Sequence, residues 1–147
     1  MQLEIVTPEK IIYSGEIDEI TINTADGEIG ILPHHVNLFT KVLPGELRIK
    51  IGGKQQYLAI TGGFLEVVND KNETKISILA DYAVRAEEIE VEKAIAAQKR
   101  AEEILKKKEE GISEQDFATA QGELRKAILQ LHVAKRRHRS GNLPSQS

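Results

Sequence analysis

Apolar and polar positions alternate in steps of two along the first half of the chain and in steps of three and four along the second. Leu3 and Ile5 alternate with polar neighbours and stop at Pro8. Ile20 and Ile22 do the same up to the Asp26-Gly27 turn signal. Leu47, Ile49 and Ile51 interleave with Arg48 and Lys50, and Gly52-Gly53 then turns the chain into Gln56 to Thr61, which predicts a hairpin. Leu65 and Val67 continue the series, Asn69 to Asn72 is polar turn material, and Ile76 and Ile78 close it. Short alternating strands at roughly 8–12-residue spacing predict a sandwich or a flattened barrel. Each strand buries one face and wets the other, which suits antiparallel sheets packed in two layers.

From Glu87 the period changes. Val91, Ala94, Ala97, Ala101 and Ile104 with Leu105 form one stripe, and Phe117, Ala120, Leu124, Ala127, Leu131 and Ala134 form another. Glu87, Glu88, Glu90 and Glu92 load the start of the first predicted helix with negative charge, and Lys106 to Lys108 load its end with positive charge, as the helix dipole favours. Gly111 suits the residue after the helix end, and Ser113 with Asp116 resembles a capping box for the next. No proline falls between Gly45 and Leu143 to interrupt either helix. Each helix is expected to run about 22 residues, or ~33 Å, the second toward Arg139 with Gly141 and Pro144 ending it. The pair reads as an antiparallel hairpin, and its alanine-rich seam buries little area and glues weakly.

Composition sharpens this division. Residues 1–86 hold 8 Lys and Arg against 12 Asp and Glu, a net of −4, and residues 87–147 hold 12 against 11, a net of +1. Eight of the 11 glycines and five of the six Phe and Tyr residues precede residue 87. The expected organisation is a β domain over 1–86, a helical hairpin over 87–139 and a frayed tail over 140–147. Cysteine is absent, which excludes disulfides and thiolate metal sites. No apolar run approaches the ~20 residues that span a bilayer, and no basic-then-apolar signal opens the chain. The protein is therefore expected in the cytosol or at a membrane face, without insertion. The acidic front half argues against nucleic acid as a partner.

Three features invite chemistry. His34 and His35 follow Pro33 as either a metal or proton site or a surface loop. Adjacent strand residues point to opposite faces, which disfavours a shared metal. Gly62-Gly63 lacks the following Lys-Ser/Thr and helix of a phosphate loop, so it reads as a bulge or bend where two sheets approach closely. Lys135, Arg136, Arg137, His138 and Arg139 form a basic end, suited to nucleic acid, to an acidic protein surface or simply to a solvated helix C-terminus, the first disfavoured by the lack of interleaved aromatics. No Ser/His/Asp, paired-carboxylate or Walker pattern occurs in a fitting context, so the chain is not expected to be an enzyme on its own.

Read together, these residues carry a resemblance. Gly27-Glu28-Ile29-Gly30-Ile31-Leu32-Pro33 with His35, Leu38 and Thr40 is followed by Pro44-Gly45 with Leu47, Arg48 and Ile49. Gly62-Gly63-Phe64-Leu65-Glu66-Val67 and Ile78-Leu79-Ala80-Asp81 with Ala83 come next. Phe117, Ala120, Leu124, Ala127, Leu131, Val133 and Ala134 complete the set. In this order and spacing, from Leu3 to Arg139, the chain resembles the epsilon subunit of the bacterial F-type ATP synthase. The resemblance implies a ten-stranded β-sandwich followed by a two-helix hairpin. It implies a place in the central-stalk rotor, bound to the gamma subunit and resting on the ring of c subunits, peripheral on the cytoplasmic side of the bacterial cell membrane. The loop with Glu28 and His35 would face the c ring, although the family run Pro-Gly-His-Ala-Pro-Leu here reads Pro33-His34-His35-Val36-Asn37-Leu38.

The same resemblance implies two positions for the hairpin. Folded, it packs on the sandwich. Extended, it enters the catalytic hexamer of alpha and beta subunits and blocks ATP hydrolysis, with Lys135, Arg136, Arg137 and Arg139 meeting acidic segments. No cofactor is required, but ATP is a regulatory ligand of some relatives through an Ile/Leu-Asp-x-x-Arg-Ala motif. The aligned run is Ile89-Glu90-Val91-Glu92-Lys93-Ala94, with Arg100 and Lys126 as further basic positions. Glu90 and Lys93 depart from the motif, and Lys is a poorer bidentate phosphate partner than Arg. Two other readings are a small nucleotide sensor built on Glu90, Lys93, Arg100 and Lys126, and a sandwich binding module with a dimerising coiled-coil tail.

Overall fold

A computed structural model describes residues 1–142, with the side chains of Glu109 and residues 137–142 left out of the description. Ten strands come first: β1 (Gln2–Val6), β2 (Ile11–Glu16), β3 (Glu19–Thr24), β4 (Gly27–Ile31), β5 (Leu38–Val42), β6 (Gly45–Ile51), β7 (Lys54–Ile60), β8 (Gly63–Asp70), β9 (Glu73–Ala80) and β10 (Ala83–Arg85). Two helices follow, α1 (Val91–Lys106) and α2 (Glu114–Asn142).

The strands form a β-sandwich that is nearly a barrel. One layer runs β10-β7-β6-β3 with β4 on the far edge of β3, and the other runs β5-β8-β9-β1-β2. A single pairing, Thr24 with Val42, joins β3 to β5 at the corner. At the opposite side, the Arg85 guanidinium donates to the Ile12 carbonyl at 2.9 Å and draws β10 toward β2. The alternation seen in the sequence is the burial pattern of the layers. Leu3, Ile5, Ile20, Ile22, Leu47, Ile49, Leu65, Val67, Ile76 and Ile78 point inward and are buried, while their neighbours face out.

One pairing departs from the antiparallel expectation. The N-terminal strand β1 inserts between β2 and β9 and runs parallel to β9, from Gln2 opposite Lys75 to Val6 opposite Leu79. The turns follow the glycines. Gly52 and Gly53 take φ of 56° and 82°, the left-handed pair that a tight hairpin requires. Gly63 sits at φ 145°, and a Cβ there would lie 2.0 Å from the Leu79 carbonyl oxygen. The close approach at Gly63 is therefore between adjacent strands β8 and β9 of one layer, and not between two sheets as the sequence suggests.

The helices also differ from expectation at their ends. Ala86–Glu88 forms a 3-10 turn, Ile89 is extended at φ −72° and ψ 125°, and α1 begins only at Val91. This break drops Ile89 into a buried cluster with Tyr57, Ala59, Ala86, Val133 and Ala134. Burying Ile89 outweighs the dipole advantage of a helix started at Glu87. The 16 residues of α1 span about 24 Å. The 29-residue α2 continues through Gly141, since a glycine in the last turn costs only ~1 kcal/mol. Between the helices, Gly111 adopts φ 94°, and the Ser113 hydroxyl accepts the Asp116 N–H at 3.0 Å, so the cap read from the sequence forms.

The hairpin lies on the outward face of β6 and β7, mainly through α2. Tyr57-Leu58-Ala59-Ile60 is consequently buried at four successive positions. Leu58 and Ile60 face the sandwich core, and Tyr57 and Ala59 face α2. The seam between helices is alanine on alanine, with Ala94, Ala101, Ala120 and Ala127 buried.

Candidate functional site

Where the hairpin meets the sandwich, small side chains leave space. Ala94 and Ala97 of α1 and Ala127 of α2 form the back of a cleft of about 730 Å³, and Tyr82 and Val84 form its floor. All four residues expected to form a nucleotide site line it: Glu90, Lys93, Arg100 and Lys126. Helical spacing explains this for α1. Lys93, Ala97 and Arg100 recur at steps of four and three on one face, and Glu90 caps that face. Lys126 faces them from α2.

The charges are arranged unevenly. Lys93 Nζ lies 2.6 Å from Glu90 Oε2, both exposed, and that hydrogen bond together with the attraction of Glu90 raises the Lys93 pKa. Lys126 Nζ lies 3.7 Å from the centre of the Tyr82 ring. Gln130 Nε2 donates to the Tyr82 hydroxyl at 2.7 Å. Burial raises the Tyr82 pKa, and the Gln130 hydrogen bond acts against it. Among the described residues, neither Arg100 nor Lys126 has a carboxylate partner, so these two cations are the ones available to an anion. Glu88 and Glu123 on the rim oppose a highly charged ligand.

The other expected sites are placed differently. Glu28 and His35 do not share a loop. Glu28 is the second residue of β4, because Gly27–Ile31 pairs with β3, and His35 lies in the turn beyond the far end of that strand. Glu28 accepts from Arg48 at 3.1 Å. His34 takes φ 70° and its backbone N–H donates to the Thr74 hydroxyl at 2.8 Å, so the two histidines are in a loop and not on a strand. His35 Nδ1 is 2.8 Å from the Val36 carbonyl, beside exposed Leu32 and Val36.

The basic end is partly engaged. Lys135 is exposed, while Arg136 Nε donates to Glu46 Oε2 at 3.0 Å and its guanidinium lies 5.4 Å from the Tyr57 ring centre. The side chains of Arg137, His138 and Arg139 lie outside the described residues.

Several residues had no warning in the sequence reading. Tyr82, Gln130, Glu46 and Tyr57 act through partners 40 or more positions away, except for the four-residue apolar run at Tyr57, which signals cover on both faces. A second feature without a local sequence signal lies on the outer face of β5-β8-β9. Phe39 and Phe64 stack there with ring centres 5.7 Å apart while 67% and 49% exposed, and Leu79 stands opposite Phe64 on β9, 60% exposed.

Fold and site together define a class: a β-sandwich carrying a docked helical hairpin, with a charged cleft at the joint. The chain belongs to the ATP synthase delta/epsilon chain family. Residues 1–86 match that family's beta-sandwich domain, and residues 87–135 match its long alpha-helix domain. Among named relatives, the ATP synthase epsilon chain of Desulforamulus reducens is 46% identical over 134 residues, covering 91% of this chain and 96% of the relative. That of Dehalococcoides mccartyi is 40% identical over 139 residues, covering 95% of each. A chain from the c-ring-containing structure of the Euglena gracilis mitochondrial ATP synthase superposes with a TM-score of 0.67 at 30% identity, covering 90% of this chain and 79% of that one. One from the Tetrahymena thermophila mitochondrial central stalk and c-ring has the same fold, with a TM-score of 0.53 at 16% identity. No helix among the described residues is long and apolar enough to cross a membrane.

Proposed function

We propose that this chain is the non-catalytic rotor subunit that couples the c ring to gamma in a bacterial F-type ATP synthase, peripheral on the cytoplasmic side of the membrane. Its hairpin serves as a mobile arm that inhibits ATP hydrolysis when extended among the alpha and beta subunits. Family membership over nearly the whole chain supports the place in the complex, and the solved relatives come from assemblies that include a c-ring. The exposed Phe39–Phe64 stack with Leu79 supplies an apolar face for gamma.

The observation that carries the arm is the thinness of its docking. Tyr57, Ala59, Ala86 and Ile89 meet Val133 and Ala134, and α1 hangs mainly on α2 through alanines. Two packings separated by a few kcal/mol are what a switch needs, and a small apolar joint supplies one of them. Gel filtration with the cognate gamma subunit tests the rotor role: one co-eluting complex at micromolar concentration is expected, and separate elution would end it.

A regulatory ATP site is supported by the cleft itself, which gathers Glu90, Lys93, Arg100 and Lys126 against Tyr82. ATP bound there would bridge α1, α2 and the sandwich and favour the folded arm.

A further inference from the structure

The docked end of α2 is fastened by an acid that belongs to the sandwich. Glu46 sits on the outward face of β6 beside Ala59, and its side chain is 13% exposed. A carboxylate so nearly buried needs a cationic partner. Its neighbour on the same face of β6, Arg48, is bound to Glu28 at 3.1 Å. The partner comes instead from α2. Arg136 Nε donates to Glu46 Oε2 at 3.0 Å, and the guanidinium lies 5.4 Å from the centre of the Tyr57 ring. Tyr57 is itself fixed by donating its hydroxyl to Gln55 Oε1 at 2.6 Å. One turn earlier on α2, His132 Nε2 stands 3.9 Å from the same Glu46 oxygen. The apolar part of the joint lies between these residues, at Val133 and Ala134.

We propose that Glu46 is an internal clamp that occupies Arg136 and so withholds the basic end of the arm from an acidic segment of a catalytic subunit. Arg136 has one role in each arm position: folded, it is held by Glu46 and the Tyr57 ring; extended, it is one of the cations offered outward. Releasing the arm therefore means exchanging one carboxylate for another, which keeps the charge cost of the switch low and lets a small difference decide the position. The clamp itself follows from the contacts; its effect on hydrolysis rests on the reading of the hairpin as an inhibitory arm.

The test is hydrogen exchange on the full-length chain. Glu46→Gln keeps the shape of the side chain and removes its charge. It is expected to speed exchange in residues 129–136 about tenfold, the loss of one charge-assisted hydrogen bond, while β8 and β9 keep their protection. Glu46→Lys and Arg136→Glu should each loosen the same segment, and the two together should restore it. Unchanged exchange in Glu46→Gln overturns the clamp, as does faster exchange that the paired reversal leaves in place. In the assembled synthase, Glu46→Gln should lower ATP hydrolysis by freeing the arm. Faster exchange with unaltered hydrolysis upholds the clamp and refutes the inhibitory arm.

Discussion

Lys126 Nζ stands 3.7 Å from the centre of the Tyr82 ring, so a cation of the second helix rests on an aromatic that the sandwich provides between β9 and β10. Gln130, one turn later, donates to the hydroxyl of the same residue. Tyr82 thus holds the helical hairpin at the cleft, and anything that draws Lys126 away changes the joint.

In the regulatory role proposed above, ATP would be one such competitor. Titration calorimetry of the isolated chain with ATP should give saturable heat, and Lys126→Ala should weaken binding about tenfold by removing one charged contact. Glu90→Gln should tighten binding, because it frees Lys93 from its 2.6 Å ion pair. Absence of heat at millimolar ATP would remove nucleotide from the account.

Tyr82 also makes docking sensitive to alkaline pH. Its folded-state pKa lies above the ordinary value of 10.0, chiefly because of burial. A group that holds its proton more tightly when folded contributes stability that is complete below its unfolded pKa and lost as pH rises through the folded one. Tyrosinate absorbance should therefore appear later for Tyr82 than for free tyrosine, and Tyr82→Phe should remove its share of the late component, leaving that of Tyr13, which burial also raises. The same variant loses the Gln130 hydrogen bond but keeps the ring under Lys126, at a cost of about 1 kcal/mol in thermal unfolding.

Gly63 carries a stricter constraint. At φ 145°, with the Leu79 carbonyl oxygen 2.0 Å from where a Cβ would lie, no side chain fits without parting β8 from β9. Gly63→Ala should cost about 3–5 kcal/mol in chemical denaturation, as a strained backbone position with a direct clash does. Gly53→Ala, with open space around it and a φ of 82°, should cost less.

These contrasts show what the amino-acid pattern could express. Strand alternation named the buried faces correctly because a period of two depends only on which side is wet. Asp26-Gly27 and Gly52-Gly53 marked their turns because left-handed φ is a local demand. The parallel pairing of β1 with β9 was not legible, since alternation identifies a face and never a neighbour. The break at Ile89 was hidden for a related reason: Glu87 and Glu88 favour a helix locally, and a distant cluster around Tyr57 overrides them. For the candidate cleft, Glu90, Lys93, Arg100 and Lys126 were legible through the family resemblance, and all four line it. Tyr82 and Gln130 were not, because their roles arise only when α2 docks.

The exposed outer face of β5-β8-β9 lets the proposed gamma contact be tested apart from stability. Phe39 and Phe64 are exposed, so replacing both with serine should leave thermal unfolding nearly unchanged. The same double variant should weaken association with gamma by about 2 kcal/mol or more, as loss of an aromatic anchor does. Gel filtration and melting of one preparation check both halves.

The inhibitory arm is tested most directly by ATP hydrolysis of the assembled synthase with this chain truncated after Arg85. The sandwich, with its exposed Phe39–Phe64 face, is retained, and everything from the Ala86 turn onward is removed. The account predicts a several-fold rise in hydrolysis with assembly intact. A rate equal to that of the full-length complex would contradict the arm and leave only the coupling role standing.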